Sequence, residues 1–95
     1  HFVLPYGYSL VQDYAGHGVG HAIHEEPAIP NYGSPDEGAV IKEGMVLALE
    51  PMVLLGAEEV VVRKNGWTVA TRDGARAAHF EHTVAVTKDG PVVLT

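Results

Sequence analysis

The chain has 95 residues, 46% of them hydrophobic and 19% charged, with a formal net charge of -6 and no cysteine. That length allows one small domain with a thin core, and the acidic balance argues against a nucleic-acid or anionic-membrane surface and for neutral or cationic partners. Without cysteine there is neither a disulfide framework nor a thiolate metal site, so any metal must be held by imidazole and carboxylate, and a reducing cytoplasmic setting is compatible.

The longest apolar stretch, Met45 to Val62, is broken by Glu50, Pro51, Gly56, Glu58 and Glu59, so no membrane span is expected. No signal peptide is read, and the chain opens on His1 rather than Met, which leaves its natural start open.

In chain order, His1 to Gly7 shows no periodicity and reads as an irregular entry. Tyr8 to Tyr14, aromatic and aliphatic between glycines, predicts a strand feeding into a turn at His17. The run Gly16-His17-Gly18-Val19-Gly20-His21-Ala22-Ile23-His24-Glu25-Glu26-Pro27 is the focus of the chain. Glycine takes positive φ without strain and admits close backbone approach, so three glycines around His17 suggest a tight path presenting imidazoles into a cleft. The alternative is a glycine-rich surface loop with solvated histidines.

Prolines 27, 30 and 35 and glycines 33, 38 and 44 forbid a long helix or central strand and predict an ordered loop, with a turn of helix after Ser34-Pro35. Met45 to Glu50 alternates, placing Glu50 on the face of the small residues Val46 and Ala48, while Pro51 holds Glu50 extended. Asn65-Gly66 predicts a type I′ hairpin between Glu59–Lys64 and Trp67–Thr71.

Arg72 to Ala77 is a turn. His79 to Thr87 reads as one strand, with Glu81, Thr83 and Ala85 sharing a face. Lys88-Asp89-Gly90 is a second hairpin turn and Pro91–Leu94 an edge strand. Five or six strands without a long helix leave a sheet whose apolar face has nothing of its own to cover it.

His17, Glu50 and Glu81, an imidazole and two carboxylates at strand ends or on small-residue faces, form a candidate site for divalent Mn, Fe, Co or Zn. The helical zinc-protease pattern is absent, because His24-Glu25-Glu26-Pro27-Ala28 lacks the second histidine. His79 and His82 read as flanking Glu81 on the opposite face, packing or donating hydrogen bonds behind the ligands.

The motifs Gly16-His17-Gly18-Val19-Gly20, His24-Glu25-Glu26-Pro27, Asn31-Tyr32, Gly44-Met45, Leu49-Glu50-Pro51-Met52, Gly66-Trp67 and Phe80-Glu81-His82-Thr83 with Val86-Thr87 together resemble the type I methionine aminopeptidases. They follow the order of the C-terminal half of those pita-bread metallopeptidases, over roughly Tyr8 to Thr95. The resemblance implies an α+β pita-bread (creatinase/aminopeptidase-like) fold, of which residues 1–95 are a partial catalytic domain, the C-terminal half, mainly antiparallel β.

It further implies metal-dependent removal of an initiator methionine from a peptide or nascent chain in the cytoplasm. His17, Glu50 and Glu81 match metal ligands, with Glu81 bridging two ions; His24 matches the histidine that hydrogen-bonds the scissile amide; Glu50 is also a candidate proton shuttle. Ile23 and Trp67 match residues around the substrate side chain, and His21 stands where relatives carry a basic residue, reading as a cleft-wall or solvated side chain. Two aspartates and a histidine of the family's N-terminal half have no match here. The expectation is therefore at most one weakly held ion instead of two, no activity of the chain alone, and as partner either that missing half or a second copy through self-association of the exposed sheet. The alternative is a non-catalytic binding or structural module on the same fold.

Overall fold

The computed structural model describes residues 1–95, with ten short strands and one 3-10 turn at Leu4–Tyr6. The strands are β1 (Ser9–Leu10), β2 (Ala15–Gly18), β3 (Glu25–Pro30), β4 (Val46–Leu49), β5 (Met52–Leu54), β6 (Val60–Val62), β7 (Val69–Thr71), β8 (Ala77–His79), β9 (His82–Thr87) and β10 (Gly90–Val93). They form a five-stranded sheet in the order β10-β9-β4-β2-β3, a three-stranded sheet β1-β5-β8 and the β6-β7 hairpin. Every pairing is antiparallel.

The strand count exceeds the five or six expected because two continuous stretches bend between sheets and because β2 and β3 occupy the expected turn and loop. β4 pairs with β9 up to Leu49↔His82, and β5 resumes with β8 at Met52↔His79. Between them Pro51, which has no N–H to give, accepts the Phe80 N–H at 3.1 Å. The expected single strand His79–Thr87 is thus two, broken at Phe80-Glu81. Glu50 and Glu81 both sit at this corner, the only place where the two larger sheets exchange chain through a paired ribbon.

His17 lies inside β2, not in a turn, and the strand expected over Tyr8–Tyr14 is reduced to Ser9–Leu10. Gly16, Gly18 and Gly20 are absent from the positive-φ residues, so conformational freedom is not what they supply. They supply room: a Cβ on Gly16 would strike the Ala48 carbonyl oxygen, and one on Gly18 the Glu26 carbonyl oxygen. Part of the expected loop is strand β3, carrying Pro27 and Pro30 on the sheet edge where proline is tolerated. No helix follows Ser34-Pro35.

The Asn65-Gly66 hairpin forms with register Val60↔Thr71 to Val62↔Val69. Its turn differs from type I′, since only Gly66 takes positive φ, 77°. Asn65 Oδ1 instead accepts the N–H groups of Trp67 and Thr68 at 3.0 and 2.9 Å, an Asx arrangement that closes a longer loop. Near the other end of this arm, Asp73 accepts N–H groups from Ala75 and Ala57 at 2.9 and 2.8 Å. These bonds hold its carboxyl below the usual value.

The molecule is open. Its surface of 7236 Å² compares with about 5,300 Å² for a closed monomer of this mass, and its radius of gyration of 14.7 Å with about 12.4 Å. The buried hydrophobic core is Val11, Leu47, Ala48 and Leu54. Behind the five-stranded sheet a depression of about 480 Å³ is lined by Ile29, Ile41, Met45, Leu47 and Leu49 among others. This is the uncovered apolar face expected from the pattern of strands without helices.

Candidate metal centre

His17 pairs with Ala48, and Ala48 with Thr83, so these three side chains cross β2, β4 and β9 on one face. Glu50 lies two residues beyond Ala48 and Glu81 two before Thr83, which by strand alternation puts both carboxylates on that same face. Carrying the register of the two ladders through the corner sets Glu50 opposite Glu81. Ala48 and Thr83 are small, and the space they leave is the floor of the site.

The His17 ring is held at both nitrogens. Its Nδ1 is 2.9 Å from the Gly18 carbonyl oxygen; a carbonyl only accepts, so Nδ1 is the donor there and Nε2 is the nitrogen turned toward Glu50. That nitrogen is 2.8 Å from Glu50 Oε1. A ring nitrogen and a carboxylate oxygen at this separation share a proton or a cation between them. An imidazole whose other nitrogen donates to a backbone carbonyl is the arrangement that fixes a metal-binding tautomer. Asn31 Nδ2 donates to the Glu50 carbonyl oxygen at 3.1 Å, anchoring the backbone from which the carboxylate projects.

The ligand atoms of Glu50, His79 and Glu81 all lie within 4.8 Å of one another. Together with His17 they make a nitrogen and oxygen donor set without sulfur, suited to a divalent transition metal. His24 stacks on His17, ring centroids 4.1 Å apart and tilted by 42°. It is exposed, so it stands beside the ligands with a face open to an incoming group.

The structure therefore brings together His17, Glu50, Glu81 and His24. It also brings in His79, which the sequence reading placed on the face opposite Glu81. That placement is corrected: His79 is two residues before Glu81, alternation puts both on one side, and Nε2 of His79 is 3.6 Å from Glu50 Oε2. The period-two spacing was the signal that could have found it. His82, paired with Leu49, does lie on the other side, its Nδ1–H donating to Thr95 O at 2.7 Å. His21 is exposed. Trp67, 88% exposed, borders an apolar cavity of about 370 Å³ with Met52, Leu54, Val69 and His79. Ile23 is exposed and lies outside that wall.

An imidazole and carboxylates gathered on one face at the junction of two antiparallel sheets form a donor set suited to a divalent cation. The model of metallopeptidase family M24 matches residues 1–88, and the chain belongs to that family. It is 51% identical over 94 residues to the methionine aminopeptidase of Clostridium acetobutylicum, covering 99% of this chain and 38% of that protein. With methionine aminopeptidase 1 of Mycobacterium tuberculosis it shares 52% over 94 residues, 97% of this chain and 35% of the relative. The crystal structure of the Thermotoga maritima methionine aminopeptidase superposes with a TM-score of 0.94 at 53% identity, over 98% of this chain and 37% of that one.

The architecture is accordingly that of the pita-bread fold, of which these residues form a mostly antiparallel part. The chain spans a little over a third of the length of the relatives it matches. No helix is long and apolar enough to cross a membrane.

Proposed function

We propose that the chain carries the C-terminal half of a methionine aminopeptidase site, which removes the initiator methionine from polypeptides in the cytoplasm with the help of Co, Mn, Fe or Zn. The observation that carries this reading is the single-face set of His17, Glu50 and Glu81 with His24 stacked on His17. The family match and the half-identical relatives support it.

His17 Nε2 and the carboxylates of Glu50 and Glu81 would hold the metal. When bound, a divalent cation supplies Lewis acidity, polarising a substrate carbonyl and acidifying water. Glu50 is the proton acceptor for the attacking water, because its carboxylate is on the metal face and kept in place by Asn31 and His17. His24 hydrogen-bonds the scissile amide from the open side of His17 and supports the charge that develops there. The cavity beside Trp67 takes the unbranched apolar side chain, while Ile23, which lies outside that cavity's wall, is assigned to the substrate side by the family resemblance alone.

The large open surface supports a second element: a complementary half that supplies further carboxylate ligands and covers the apolar face, self-association being the alternative cover. The test is release of methionine from a short peptide by the chain alone and with an N-terminal half supplied in trans. We expect no turnover alone and turnover on mixing. A correctly assembled complex that stays inert would favour a non-catalytic module.

A further inference from the structure

We propose that His79 is a ligand, through Nε2, of the same cation that Glu50 and Glu81 bind; the inference rests on the metallopeptidase reading above. His79 ends β8 opposite Met52 and so stands at the corner where Glu50 and Glu81 meet. Its Nε2 is 3.6 Å from Glu50 Oε2. That separation is too long for a hydrogen bond. It is the separation of two donors on one small cation, since metal–nitrogen and metal–oxygen distances of about 2.1 Å at tetrahedral to trigonal angles space their donors about 3.4–3.6 Å apart.

The wider group fits with a small adjustment. The three ligand atoms lie within 4.8 Å of one another, whereas two donors on one such cation are at most about 4.2 Å apart. His79 and Glu81 are both exposed, so their rotamers are free to close the difference. The two oxygens of Glu50 are divided between two imidazoles, Oε1 facing His17 and Oε2 facing His79. A neutral imidazole adds a donor without adding charge, which complements a site already holding two carboxylates.

The test uses the whole chain with zinc alone as the probe. Nitrogen-15 spectra of histidine-labelled protein count the imidazoles whose ring nitrogen moves to the metal-bound position, and calorimetry measures the affinity. Two bound rings are expected, assigned to His17 and His79, with His79→Gln leaving one and weakening zinc by at least about tenfold. One bound ring, assigned to His17, overturns the role of His79 while leaving the metal centre standing. No bound ring overturns both. The ring count is made on the unmutated chain, so it decides the question even where His79→Gln folds poorly.

Discussion

Glu50 stands opposite Glu81 in the register that β4 and β5 share with β9 and β8. Like charges across a strand pair oppose folding by roughly 0.2–1 kcal/mol, and no arginine or lysine forms a salt bridge with either carboxylate. A cation held between the two carboxylates would offset that repulsion. A strand pair built this way gives up some stability in its metal-free state to gain a binding site.

That trade is measurable. Glu81→Gln removes the repulsion and should stabilise the metal-free chain by about 0.2–1 kcal/mol in urea denaturation with chelator. With zinc in excess the order should invert, because the wild-type chain gains binding free energy that the variant loses. Equal destabilisation under both conditions would contradict a cation-binding role for Glu81.

Gly16→Ala tests the packing that sets His17 against β4. Its Cβ would meet the main-chain carbonyl of Ala48, which cannot swing aside. The expected cost is about 1–3 kcal/mol by chemical denaturation, with weaker metal binding as β2 moves. Gly20→Ala is the control, since its Cβ meets only the flexible Glu25 carboxylate and should cost less. Equal costs would remove the close-approach account of the glycine run.

Asp73 gives a pH dependence. The N–H groups of Ala75 and then Ala57 hold its carboxyl below the usual 3.8. A carboxyl lowered on folding contributes stability that is present above the unfolded value and lost as pH falls through the lower folded one. Asp73→Asn should therefore be less stable than wild type at pH 7, with the difference shrinking below about pH 4. A pH-independent difference in melting temperature would assign the effect to shape alone.

Much of this was legible because strands carry period-two information. The alternation of Met45–Glu50 and the faces of Glu81 and Thr83 followed from sequence, and the family motifs gathered His17, His24, Glu50 and Glu81. What was not legible depends on contacts distant in sequence. Gly16 reads as a turn glycine until Ala48 is known to lie against it. The strand break at Phe80-Glu81 follows from Pro51, thirty positions away in the pairing partner. Pro27 and Pro30 argued against a strand because nothing local says that β3 is an edge. His79 was misplaced although the alternation rule, applied two residues back from Glu81, already put it on the metal face.

The most direct test of the account separates metal binding from turnover in the complex of this chain with the proposed N-terminal half. His24→Ala should abolish methionine release while leaving metal content close to wild type, because His24 touches His17 but is not among the proposed ligands. Glu81→Ala should lose both metal and turnover, because its carboxylate is one of the proposed ligands at the corner of the two sheets. Retained turnover in His24→Ala, or full metal content in Glu81→Ala, would contradict the proposed division of roles.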